Sequence, residues 1–164
     1  MRIQIPALKV DAAVASVATV NGQLGVPEDP LTVGWWAGGA LPGSSSGAVV
    51  VDGHVDSATR GLGAFFRLST LQAADIVTVT ALGGGQVQYQ VTARRSYSKA
   101  ARLPADLFAG SGPARLVLIT CGGQFDAPSL SYRDNVVIFA KPTVLAPFSV
   151  GSPANGTRDL PPRR

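Results

Sequence analysis

The chain has 164 residues, enough for one domain whose core needs no disulfide staples. Apolar residues make up 46% and charged residues 15%, which excludes a chain that is disordered throughout. The net charge of +4 comes from scattered Lys and Arg with no interleaved aromatics, which argues against nucleic-acid binding, and the single cysteine excludes an internal disulfide.

Residues 1–6 alternate as MRIQIP, the pattern of a half-buried strand that Pro6 ends. Residues 11–20 alternate loosely around Val14, Val17 and Val20, and Asn21-Gly22 then signals a hairpin with 23–26 as the returning strand. A loop over 27–30 leads to VGWWAGG, where Trp35 and Trp36 read as packing residues, with a ligand-stacking platform as the alternative. Residues 48–51 form a continuous apolar run, AVVV, which predicts a strand buried on both faces, and Asp52-Gly53-His54 follow it. Over 58–71 the spacing of Leu62, Phe65, Phe66 and Leu68 predicts one or two helical turns packed on the core. The clearest hairpin is DIVTVTAL, a glycine turn at 83–85, and QVQYQVTA. A long connection is expected over 94–114, with a short helix at 103–108 that has Pro104 in its first turn. A strand over 115–120 ends at Cys121, and a last strand over 132–140 is ended by Pro142. Residues 1–145 are expected to form the domain, and the Pro- and Arg-rich 146–164 a disordered tail. Seven or eight short strands with little helix point to an all-β barrel or sandwich.

Three residues stand at adjoining ends of these strands. Cys121 follows the apolar LVLIT where Gly122-Gly123 open a Gly-rich loop. Such a thiol is either a small buried hydrophobe or a nucleophile that a substrate backbone can approach over the glycines. Their backbone N–H groups would be free to face a developing oxyanion. His54, the only histidine, is either a capping residue or an acid and base for the thiol, with Asp52 and Asp56 placed to orient it or merely solvated. Arg133, twelve positions after Cys121, is either a solvated cation or a group that holds negative charge near the thiol.

One Cys and one His cannot complete a usual structural zinc site, the ten carboxylates show no EF-hand spacing, and GLGAFF lacks a nucleotide fingerprint, so no metal or cofactor is expected. No apolar stretch reaches the roughly 18 residues that cross a bilayer. No signal peptide precedes the strand-like RIQIP, so the chain is expected either to be cytosolic or to carry an anchor upstream of this fragment.

At the candidate residues the chain resembles the sortases, cysteine transpeptidases of Gram-positive cell surfaces. LITC at 118–121 is similar to that family's TLxTC signature, although Val117 stands where its first Thr would be; VDGHVD carries His54 and SYRDNVVIFA carries Arg133, in the family's order. The resemblance runs over about 2–141, and CGGQFD with SYRDNVV is most like the actinobacterial class F enzymes, with class E the near alternative. It implies a closed eight-stranded β-barrel with one or two short helices and an N-terminal membrane anchor missing from this fragment, at the outer face of the cell membrane. It implies LPXTG-like sorting-signal proteins as one partner and a peptidoglycan precursor amine of the lipid II type as the other. It further implies that Cys121, His54 and Arg133 are catalytic, that Thr120, Gly122, Ser131 and Tyr132 touch substrate, and that 94–114 flanks the substrate groove. The reading from another class is a non-enzymatic β-barrel binding module whose Cys121 is inert.

Overall fold

The computed structural model describes residues 1–20 and 22–144. Its strands in chain order are β1 (Arg2–Ile5), β2 (Val10–Val17), β3 (Thr19–Val20), β4 (Gln23–Leu24), β5 (Val33–Trp36), β6 (Ala48–Asp52), β7 (Asp56–Ser57), β8 (Gly61–Leu62), β9 (Ile76–Thr80), β10 (Gln86–Ser98), β11 (Arg115–Asp126) and β12 (Ser131–Val144). Eight of them close a barrel in the order β1-β2-β5-β6-β11-β12-β10-β9, with β9 returning to β1. The pairs β2–β5 and β6–β11 are parallel and the rest antiparallel. The only helical pieces among the described residues are three short 3-10 turns, Pro6–Leu8, Leu68–Thr70 and Ala105–Phe108. The fold is thus the all-β closed eight-stranded barrel expected.

Alternation along the strands sorts side chains into two apolar layers. Ile3, Ile5, Val49, Val51, Leu116, Leu118, Val136 and Ile138 fill the barrel interior with Phe65 and Leu68. The opposite faces of the same central strands carry Ala48, Val50, Val117, Ile119 and Val137, which pack outside the barrel under Leu107 and partly buried Leu24, Trp36, Leu103 and Phe108. That outer layer explains why AVVV reads as continuously apolar: β6 is buried on both faces. Trp36 packs edge to face on Phe108, with ring centroids 5.4 Å apart, and its indole N–H donates to Thr19 Oγ1, so it is a packing residue.

Several sequence expectations need correction. The helical turns expected over 58–71 shrink to one 3-10 turn at Leu68–Thr70; Phe65 and Leu68 are buried, but Leu62 and Phe66 are exposed, so the helical spacing has no buried stripe behind it. β10 continues to Ser98, which moves the start of the connection from 94 to 99. β12 runs through Pro142, at a register shift against β10 where Gln88 pairs with Val144 and Tyr89 with Pro142; a bulge needs no donated N–H there, so proline is accommodated. β11 does not end at Cys121 but runs to Asp126. Gly123, with φ +75°, sits in a bulge between the Gly122–Asp134 and Phe125–Tyr132 pairs, so the glycine pair bends a strand where a loop was expected. Strands β3 and β4 pair as the hairpin signal predicts, although Asn21 itself and the tail at 146–164 lie outside the described residues.

Candidate active site

Cys121 sits in mid-strand, opposite Asn135 of β12. Directly opposed residues share a face, and Arg133 lies two positions from Asn135, so Cys121, Asn135 and Arg133 all belong to the outer face of the barrel. Asp52 joins that face, since β6 pairs it with Ile119, two residues before the cysteine. Over this wall lies a cavity of about 840 Å³, lined from β11 by Ile119, Thr120 and Cys121 and from β12 by Ser131 and Asn135. Its cover is the β3–β4 hairpin, through Gln23 and Leu24, and the 99–114 segment, through Lys99, Arg102, Leu103 and Phe108. The 3-10 turn at Ala105–Phe108 pins that segment down: Leu107 is fully buried, and burying such a side chain contributes about 2 kcal/mol.

The thiol is half-buried, and the ammonium of Lys99 donates hydrogen bonds to Cys121 Sγ and to Ser131 Oγ, each at 3.1 Å. The Lys99 backbone N–H also donates to the Arg133 carbonyl at 2.8 Å, which sets the start of the segment against β12.

His54 stands two residues beyond β6. Its Nε2 is 2.7 Å from the Pro27 carbonyl. A carbonyl only accepts, so Nε2 carries a proton and Nδ1 is the nitrogen left for chemistry. Two hydrogen bonds hold the backbone on either side of this histidine. The buried Thr120 hydroxyl donates to the Gly53 carbonyl at 2.7 Å, and the Tyr132 hydroxyl donates to the Asp56 carboxylate. Residues 53 and 56 are therefore tied to the neighbours of Cys121 and Arg133 respectively. The Asp56 hydrogen bond, helped by burial, raises the Tyr132 phenol above its ordinary pKa. The histidine's hydrogen-bond partner is thus Pro27, and of the two readings of Asp52 and Asp56 neither carboxylate orients the ring: Asp56 is committed to Tyr132 and the Asp52 side chain points along the outer face toward Gly34.

Arg133 is exposed, and its guanidinium bonds to Asp126 Oδ1 at 2.8 Å and to Gln124 Oε1 at 3.4 Å across the bulge. Hydrogen bonds from the Ser129 hydroxyl and then from Arg133 hold the Asp126 carboxyl below its ordinary range. Among the residues expected to touch substrate, Thr120 and Ser131 line the cavity. Tyr132 packs edge to face on Phe125, and a Cβ on Gly122 would come within 2.5 Å of Val136, so Gly122 is required by packing between the strands. Among the cavity residues not singled out from the sequence are two charged ones, Lys99 and, as a lining group in its own right, Asp52. Lys99 belongs to no motif; Asp52 stands inside VDGHVD, where its closeness to His54 was the signal.

The sortase-domain family model matches residues 3–143. The chain belongs to the sortase family. Sortases are cysteine transpeptidases, and Cys121 is the one cysteine of this sortase. Solved structures agree on the fold. A lid mutant of sortase A from Corynebacterium diphtheriae superposes with a TM-score of 0.66 at 21% identity, covering 89% of this chain and 70% of that one. Sortase C1 from Streptococcus agalactiae gives 0.66 at 20% identity, covering 87% and 66%. A sortase D5 transpeptidase from Clostridium perfringens gives 0.63 at 20%, covering 86% and 76%. This sortase therefore spans about two thirds to three quarters of the length of these structures. No curated protein matches it in sequence.

Proposed function

We propose that the protein is a transpeptidase that cuts an LPXTG-like sorting signal between Thr and Gly and joins the new carboxyl end to an amine. The observation that carries this is the placement of Cys121 on the wall of a large cleft, beside a cation and on the same face as Arg133. The Cys121 thiolate attacks the threonine carbonyl, and a tetrahedral intermediate forms. Its collapse expels the glycine amine, which takes a proton from the His54 imidazolium, and leaves a thioester. An incoming amine, which gives a proton to the His54 imidazole, then displaces the sulfur. A peptidoglycan precursor of the lipid II type would supply that amine at the cell surface, with water as a slower acceptor. Arg133 holds the oxyanion after exchanging Asp126 and Gln124 for substrate. Thr120, Gly122, Ser131 and Tyr132 contact the substrate, Thr120 and Ser131 of them from the cavity wall. Within the family, CGGQFD and SYRDNVV favour class F, with class E the alternative.

The test is incubation with an LPXTG peptide and an amine acceptor, followed by mass spectrometry. We expect a peptide acyl adduct on Cys121 and a transpeptidation product. Equal product from Cys121→Ala would end the proposal. Arg133→Lys should lose about a hundredfold in kcat, because a point charge lacks the planar fork that faces an oxyanion. Turnover near wild type in that variant would remove Arg133 from the site.

A further inference from the structure

Asp52 is the one described residue whose buried side chain holds a polar atom with no partner: its Oδ1 is sealed from solvent and receives no hydrogen bond. The residue is 5% exposed, yet it lines the same cavity as Cys121. A Cβ on Gly34 would come within 2.4 Å of Oδ1, so the carboxyl is packed against bare backbone on β5. An ionised carboxylate there would have its own backbone N–H as a donor but none at Oδ1, too few for a buried charge, whereas a neutral acid needs only one acceptor for its proton. Burial pushes the Asp52 carboxyl up to about 7.

The position is also measurable along the strands. Asp52 pairs with Ile119, and Cys121 lies two residues further along β11. Strand rise and spacing put the Asp52 and Cys121 Cα atoms on the order of 8 Å apart, about two or three residues of an extended peptide.

Resting on the transpeptidase reading, we propose that Asp52 is a substrate-binding residue whose carboxyl O–H donates a hydrogen bond to a backbone carbonyl of the bound peptide, about two or three residues from the bond that Cys121 attacks. Oδ1 stays sealed against Gly34, so the proton that the peptide carbonyl accepts is carried on Oδ2. Such a contact reads no side chain, so it serves the peptide backbone and not its sequence. Peptide affinity then falls as pH rises, since a carboxylate cannot donate. The other titratable or charged groups on the cavity are Cys121 from β11 and Lys99 and Arg102 from the covering segment; His54 follows two residues along the chain from Asp52. Asparagine keeps a donor at the same place and does not titrate, so it separates the Asp52 contribution from theirs.

The experiment measures binding of an LPXTG peptide to the Cys121→Ala protein by calorimetry on both sides of neutral pH. It is repeated with Asp52→Asn and Asp52→Ala added, the folding of each checked by circular dichroism. With Asp52 present, affinity should fall by up to about tenfold per unit above the Asp52 pKa. Asp52→Asn should bind within a few-fold of the parent at low pH and lose that dependence. Asp52→Ala should bind weakly at every pH. Affinity that rises with pH, an unchanged pH profile in Asp52→Asn, or an asparagine variant as weak as the alanine variant would overturn the assignment, as would absence of peptide binding in all three proteins. The acyl adduct on wild-type Cys121 is read separately: binding with the expected pH profile but no adduct sinks the transpeptidase reading and leaves Asp52 standing.

Discussion

Cys121 and Lys99 form the most direct pair in the site, with the ammonium 3.1 Å from the sulfur. A positive charge at that distance stabilises the negative charge that sulfur carries when it acts as a nucleophile. Replacing it with a neutral chain of similar length isolates the effect. In Lys99→Met, alkylation of Cys121 by iodoacetamide should slow by about fivefold at neutral pH, followed by mass spectrometry. An unchanged rate would mean that Lys99 orders the covering segment without acting on the thiol. The same pair shows what sequence reasoning misses at this scale. Cys121 stands out because it is unique and follows an apolar run. Lys99 is one cation in a polar connection, and nothing around it in the chain points to the sulfur 22 positions later. Arg133 was legible as a residue, but its bond to Asp126 was not, because that partner is chosen by the bulge at Gly123.

At the scale of elements, legibility followed burial. β6 and the first half of β11 were readable because both their faces are covered, which leaves unbroken apolar runs. β9 and the first part of β10 were readable because only one face is covered, which leaves clean alternation. β5 was missed: four residues, VGWW, carry too little pattern, and its pairing with β2 and β6 decides it. The half of β11 beyond the cysteine was missed because two glycines look like a loop while a bulge lets the strand continue. The segment 58–71 was misread because four apolar residues at helical spacing do not have to share a buried face. Its real work is to brace the histidine: Phe65 N–H donates to the His54 carbonyl at 3.0 Å and Gly63 N–H to the Val55 carbonyl at 2.9 Å. A Cβ on Gly63 would meet the His54 carbonyl at 2.2 Å, a backbone atom that no rotamer change can move aside. Gly63→Ala should therefore lose about 1–3 kcal/mol of stability in urea titration. It should also lower transpeptidation more than an equally destabilising change inside the barrel. Wild-type activity in a destabilised Gly63→Ala would separate this brace from the chemistry.

For the whole molecule, Asp52 links the cleft to folding. Its carboxyl sits at about 7 in the folded protein against the ordinary 3.8. The folded state therefore keeps a proton that the unfolded chain gives up between those values. The stability this contributes is fully present below the ordinary value and is lost as pH rises through about 7. At about 1.4 kcal/mol per unit the loss amounts to a few kcal/mol, a sizeable part of the total of about 5–15 kcal/mol for a typical domain. The urea midpoint of the wild-type protein should thus drop between about pH 4 and about pH 7 and level off above that, and that of Asp52→Asn should drop less. Parallel curves for the two proteins would show that Asp52 is already ionised in the folded state.

Cys121 lies on the outside of the barrel wall, in a cleft roofed by a two-stranded flap and a segment anchored through Leu107, while the interior is filled by a separate set of side chains. The roof can therefore be exchanged without disturbing the foundation. Transplanting a different 99–114 segment that keeps an apolar anchor at the Leu107 position would recut the groove and its peptide preference, and the eight staves beneath would hold their shape.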